Sequence, residues 1–236
     1  MNQNQALKRM IDESRCIVFF GGAGVSTESG IPDFRSADGL YRQTWRYPPE
    51  TIVSHTFFME HPEEFFAFYR AKMLAPDARP NAAHKALAHL EAEGKLAAVI
   101  TQNIDGLHQA AGSKNVLELH GSVHRNYCMR CGRFYDLHAV LNAPGVPVCS
   151  CGGTIKPDVV LYEEQLDETV LMRAIEALSR ADLLVVGGTS LAVYPAAGLV
   201  RYCKGRLVVI NMSPTPLDAS ADLLIQAPIG ETLQFF

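Results

Sequence analysis

The 236-residue chain has no run of about 18 uninterrupted apolar residues, which excludes a membrane-spanning helix, since a span needs about 20. Residues 1–15 lack the apolar centre and small-residue cleavage site of a secretory signal and instead alternate as a helix does. A cytoplasmic location is therefore expected, with no membrane partner. A basic excess is missing too. The formal net charge is −4, whereas chains that bind nucleic acid are usually basic because phosphate contacts supply much of that affinity. Nucleic acid is thus not an expected partner, while a cationic substrate stays open. There is no internal repeat and no low-complexity tract. With 48% hydrophobic and 19% charged residues, the length suits one large domain, or one large and one small.

Short apolar runs recur at 16–20, 97–100, 116–119, 183–186, 207–210 and 223–225, and between several of them lie stretches of helical period at 62–74, 81–93 and 167–179. Continuous apolar runs alternating with helices mark a parallel sheet covered on both faces. The expected fold is α/β, a doubly wound and mostly parallel sheet. Near the end, Ile229-Gly230-Glu231 reads as a strand passing into a helix. Two regions break the alternation. Residues 31–61 hold several prolines and aromatics without clear period, and long irregular loops in compact domains are usually functional. Residues 121–154 are rich in glycine, proline and short polar turns and read as an insertion.

Six cysteines fall into two kinds. Cys16 and Cys203 stand alone in apolar strings, where a thiol serves as a small core group. Cys128-Met129-Arg130-Cys131 and, after 17 intervening residues, Cys149-Ser150-Cys151 form two close pairs. Without an export signal such pairs point to a metal rather than to disulfides. Four thiolates suit a tetrahedral Zn²⁺, and a site saturated with sulfur leaves no position for water, so the expected zinc is structural. Four unrelated core cysteines, or a finger that reads nucleic acid, are the other readings of this spacing. The surrounding Arg125, Arg130 and Arg133 form no basic cluster.

Gly22-Ala23-Gly24 follows the first apolar run. A strand that delivers a glycine-rich turn is a ready anion site, because the bare backbone approaches a pyrophosphate closely. The next glycine is Gly30, not the third of the usual dinucleotide fingerprint, and no acidic strand end follows about 20 residues later. Taken alone, the turn is equally an ordinary one. Gly30-Ile31-Pro32-Asp33-Phe34-Arg35 then opens the irregular stretch, Thr101-Gln102-Asn103-Ile104-Asp105-Gly106-Leu107-His108 follows the second run, and Leu119-His120-Gly121 follows the third. The carboxyl ends of strands in open α/β sheets are where ligands bind.

Together with Gly187-Gly188-Thr189-Ser190-Leu191 and the cysteine pairs, these motifs stand in the order of the sirtuin family. The chain resembles that family from about residue 15 to 229, in its bacterial type. The resemblance implies a Rossmann-like domain made of 1–120 and 155–236, a zinc-binding module at 121–154 and a mobile cofactor-binding loop at 31–61. It implies an NAD-dependent protein deacylase that acts on acylated lysines, with NAD as co-substrate and zinc as a structural ion. Protein mono-ADP-ribosyl transfer and a non-catalytic NAD or ADP-ribose sensor are the alternatives.

By the same resemblance, Ala23, Thr27, Phe34 and Arg35 would line the NAD site, and Gln102 and Asn103 would hold the ribose and an ordered water. Ile104 and Asp105 would take the nicotinamide carboxamide, and His120 would be the general base, with Asn103 its catalytic companion. Thr189, Ser190, Asn211 and Ile229 would contact the adenosine half. The peptide would add a strand between Val160, Leu161 and Tyr162 on one side and Val193 on the other. Family members that remove acidic acyl groups carry Tyr-x-x-Arg where this chain has Tyr69 and Lys72. Spacing i, i+3 would put both on one helix face, but lysine lacks the two-pronged fork of arginine. Deacetylation is the expected activity, with removal of acidic acyl groups as a further one.

Overall fold

A strand covered on both faces needs an apolar side chain at every position, and Ile17–Gly21 (β1) has one at each residue before its terminal glycine. A computed structural model describes residues 2–34, 39 and 45–236. Before β1, Gln3–Glu13 forms α1, started by a capping box in which Asn2 and Gln5 exchange hydrogen bonds. Then follow Pro49–Ile52 (α2), His55–Glu60 (α3), Pro62–Phe68 (α4) and Ala82–Ala92 (α5). Leu96–Thr101 (β2), Leu107–Ala111 (α6) and Val116–Glu118 (β3) complete the first half. An excursion comprises Gly121–Cys128 (β4), Phe134–Tyr135 (β5), Leu137–Leu141 (α7) and Ile155–Val159 (β6). The chain ends with Glu168–Arg180 (α8), Leu183–Gly187 (β7), Arg206–Ile210 (β8), Leu223–Ile225 (β9) and Ile229–Leu233 (α9).

Six strands form one sheet in the order β3-β2-β1-β7-β8-β9, and every pair in it is parallel. All six are the apolar runs that the sequence shows. Alternation along β1 divides the core. Ile17 and Phe19 pack with Leu7 and Ile11 of α1 and Leu87 and Leu90 of α5, while Val18 and Phe20 pack with Ala174 and Leu178 of α8. Each such buried side chain contributes about 1.5–3 kcal/mol. Helix α8 begins where Asp167 accepts a hydrogen bond from the Val170 N–H (2.9 Å) and stops where Ala181 turns extended.

The excursion builds a three-stranded antiparallel sheet, β5-β4-β6. Its third strand lies at 155–159, just past the stretch expected to hold the insertion. The expected irregular segment 31–61 is partly helical, because α2 and α3 bury Ile52, Phe57 and Phe58. They share a third core with Phe65, Phe66, Val123, Val140 and Leu161, so two separate pieces of chain make the smaller lobe. Gly121 marks the passage between the sheets. Its φ is 75°, and a Cβ there would run into the Asp158 carbonyl oxygen, so only glycine fits.

Candidate active site between the lobes

The strand order reverses its direction of growth at β1 and β7, and a crevice opens beyond the carboxyl ends of strands at such a point. Here the glycine turn after β1 meets the turn after β7. Gly24 N–H donates to the Gly188 carbonyl (2.8 Å), and a Cβ on Gly24 would meet that backbone at 2.8 Å. The contact requires a bare backbone. A cleft of about 920 Å³ opens above it, near the top of the range for ligand pockets and wide enough for more than one ligand.

Four strand ends feed the cleft. From β1 come Ala23 and Thr27, the latter's hydroxyl held by the Gly24 carbonyl (3.0 Å), followed by Phe34. From β2 come Gln102, Asn103, Ile104 and Asp105. From β7 come Thr189 and Ser190, and from β8 comes Asn211, with Ile229 reaching in from the start of α9. His120 stands at the junction of β3 and β4. Val160, Leu161 and Tyr162 line it where β6 ends, and Val193 where the chain leaves β7. Arg35 lies outside the described residues.

Hydrogen bonds preset these groups. Asn103 Nδ2 donates to Ser26 Oγ (3.0 Å), Ser26 Oγ donates to Asp105 Oδ2 (2.7 Å), and Asp105 Oδ1 accepts the Leu107 N–H (2.9 Å). The Asp105 carboxylate is thus held from two sides. Gln102 Nε2 donates to Thr189 Oγ1 (3.0 Å), which links the ends of β2 and β7. Ser26 stands 79 residues before Asp105 in sequence and is absent from the expected site. Its place two residues after the Gly-x-Gly turn is the only signal for it in the sequence.

His120 is half-buried. Its Nδ1 lies 3.0 Å from the Gln102 carbonyl oxygen. A carbonyl only accepts, so Nδ1 carries the proton, and the neutral ring leaves Nε2 as a lone pair. Burial lowers the pKa of His120 below its ordinary value, against the opposing pull of that carbonyl. At neutral pH the imidazole is therefore a base with one free nitrogen, in a cleft where Asp105 offers a fixed carboxylate.

The acyl-recognition pair departs from expectation. Lys72 lines the cleft, but Tyr69 does not. Tyr69 is wholly buried against Phe65 (ring centroids 5.5 Å) and Phe66, and burial raises its pKa. The reason is local. Tyr69–Met73 is a π-helical turn, whose wider i→i+5 spacing rotates residues three apart away from a shared face. Tyr69 is thus a core aromatic and not a group that touches an acyl chain.

At the far end of the small lobe the four cysteines converge. Their sulfurs all lie within 4.8 Å of one another, with Cys128 Sγ 3.4 Å from Cys151 Sγ and Cys131 Sγ 3.7 Å from Cys149 Sγ. Four sulfurs around a zinc at about 2.3 Å stand about 3.8 Å apart, so the set fits a tetrahedral ion. Backbone N–H groups of Arg130 and Cys151 point at Cys128 Sγ and Cys149 Sγ (3.4 and 3.5 Å), and the Tyr135 hydroxyl donates to Cys149 Sγ (3.0 Å). Such donors suit thiolates.

Comparison with known proteins agrees with this geometry. The Sir2 family model matches residues 22–195. An NAD-dependent protein deacetylase of Clostridium acetobutylicum is 60% identical over 97% of this chain and 95% of that protein. A solved Sir2 protein with a p53 peptide and NAD+ superposes with a TM-score of 0.86 at 43% identity, covering 100% of this chain and 97% of that one. A Sir2 variant solved with a deacetylated p53 peptide and 3'-O-acetyl-ADP-ribose gives a TM-score of 0.92 at 41% identity, covering 99% and 96%.

Proposed function

The chain belongs to the Sir2 family, and from that premise we propose that it is an NAD-dependent protein-lysine deacetylase, with Asn103 and His120 as its catalytic residues. The observation that carries the reading is the neutral His120, whose Nε2 lone pair shares one cleft with the Asn103–Ser26–Asp105 chain. Asp105 receives the nicotinamide carboxamide of NAD, and Ala23, Thr27 and Phe34 enclose its ribose. Thr189, Ser190, Asn211 and Ile229 hold the adenosine. Val160, Leu161, Tyr162 and Val193 border the slot for the acylated peptide, which binds by adding a strand.

The reaction replaces the nicotinamide–ribose bond by a bond from the acyl oxygen to the same ribose carbon. Positive charge grows on the sugar, so a preorganised, enclosed pocket does more than a strong acid would. His120 Nε2 then takes the proton of a ribose hydroxyl, which makes that oxygen the nucleophile toward the acyl carbon. That attack expels the lysine amine, a water then adds to the acyl carbon, now bridging two ribose oxygens, and frees one of them, so the products are nicotinamide, free lysine and O-acyl-ADP-ribose. The four thiolates hold zinc as a structural ion and take no part in these steps. Of the pair expected to read an acidic acyl group, only Lys72 lines the cleft, which favours acetyl-lysine over succinyl-lysine.

One incubation tests the reading. With NAD and an acetyl-lysine peptide, the protein should release nicotinamide and shorten the peptide by one acetyl group in equal amounts. Nicotinamide release with an unchanged peptide mass, or no turnover at all, would overturn it.

A further inference from the structure

Among the described residues only two that are not glycine take a left-handed backbone, Glu163 at φ 76° and Leu191 at φ 52°. For an L-residue this region is disfavoured by contact between Cβ and the backbone. It persists only where neighbours impose it, and such positions gather at ligand clamps. Glu163 lines the cleft just past β6, and Leu191 is buried just past β7 beside Ser190, which lines it. They are the turns from which the two walls of the peptide slot hang.

Different contacts impose each. The Leu191 N–H donates to Thr189 Oγ1 (3.2 Å), the oxygen that also accepts from Gln102. The Glu163 carboxylate reaches across 107 residues of sequence, and its Oε2 accepts from both the Thr56 N–H (2.9 Å) and the Thr56 hydroxyl (2.8 Å) at the start of α3. Backbone bonds run beside this latch. His55 N–H donates to the Tyr162 carbonyl and Tyr162 N–H to the Val53 carbonyl, each at 3.0 Å. The next residue adds a second anchor, since Glu164 accepts from the Leu161 N–H, His55 Nδ1 and Lys156 Nζ. On its inner side the same wall is joined to the base, because the Val160 N–H donates to the His120 carbonyl (3.0 Å). The wall is therefore tied to α3 on one side and to His120 on the other, with a strained residue at its end.

We propose that Glu163 is a positioning residue for the acylated peptide: through Thr56 it fixes the wall along which the peptide backbone lies. The proposal rests on the deacetylase reading and adds to it a residue outside the reacting groups. Its signature is selective. A loose wall weakens capture of the peptide, whereas the NAD contacts and His120 hold to the strand ends and keep their geometry.

The test is steady-state kinetics on Glu163→Gly, Glu163→Ala and Glu163→Gln, with acetyl-lysine peptide and NAD varied in turn. Glycine accepts the left-handed angle and removes the carboxylate, so this variant folds without strain. Its KM for peptide should rise about five- to tenfold, while kcat and the KM for NAD stay within about twofold. Alanine should do at least as much. Glutamine keeps an oxygen that accepts from Thr56 and should return the peptide KM to within about twofold of the parent. A peptide KM unchanged in Glu163→Gly, an equal rise in the KM for NAD, or no rescue by glutamine would overturn the positioning role. Should the parent itself fail to turn over the peptide, the deacetylase reading falls and this role falls with it.

Discussion

The large sheet buries side chains such as Ile17, Phe19, Val99, Val185 and Val208 on one face and Val18, Phe20, Ile100, Val186 and Val209 on the other. The cysteine-bearing tip buries only Cys128, Cys149 and Ile155, with Tyr135 and Cys151 packed against them. One region stands on apolar area removed from water. The other has almost none to remove and needs four sulfurs gathered round an ion, because small units cannot build an adequate core. What holds the tip is therefore one event, the binding of the ion, while what holds the sheet is spread over many contacts. His120 sits on the join, two residues after β3 ends its pairing in the large sheet and one before Gly121 turns into the small one.

The sharpest way to break this contrast is to remove a sulfur. Cys128→Ser should release the zinc and unfold the tip, since structural zinc in small modules contributes about 10 kcal/mol of folding energy. Metal analysis should show loss of about one equivalent per chain, and protease should cut within 121–159 while the sheet region survives. A variant that keeps its zinc, or a protein that unfolds throughout in one step, would mean that the two regions are not separate in this sense. At the join, His120→Ala should lower kcat by about 10²–10⁴-fold, the usual worth of a general base, with zinc content and melting temperature unchanged. Turnover near that of the parent would remove the histidine from the chemistry.

The smallest effect belongs to the sheet region's own histidines. His84 and His108 are buried, with ring centroids 4.7 Å apart. Burial lowers His84 to about 4 against the pull of Asp105, and burial together with His84 lowers His108 to about 3. Both are neutral in the fold, whereas the unfolded chain binds protons below about 6.5. Their contribution is thus complete above that pH and is lost as the pH falls toward 4, at about 1.4 kcal/mol per unit per histidine. Melting temperature should be flat above pH 7 and decline below 6.5, and His108→Leu should reduce that decline by about half. An equal slope in the variant would show that acid acts elsewhere, for example by releasing the zinc.

The strands were legible because each is covered on two faces and so must be apolar throughout, a demand that local residues meet by themselves. The cysteine pairs were legible for a similar reason, since a metal fixes its ligands' spacing. Helices α2 and α3 were not. Their buried Ile52, Phe57 and Phe58 face Val123, Val140 and Leu161 from a distant part of the chain, and so short a helix carries no period of its own. Tyr69 misled through its spacing, because a π turn swings it into the aromatic core beside Phe65 and Phe66 of the preceding helix.

Read alone, the chain determines the parallel sheet, the glycine turn at its edge, the thiolate set and the motifs of the Sir2 family, since each follows from residues near one another in sequence. The tertiary structure alone decides that Ser26 joins Asn103 to Asp105, that Gln102 sets the proton of His120, and that Glu163 bonds to Thr56. Those bonds span 18 to 107 residues. Hydrogen bonds of such reach form only after the core has brought the strand ends together, and a hydroxyl or carboxylate gives no local sign of the partner it will meet.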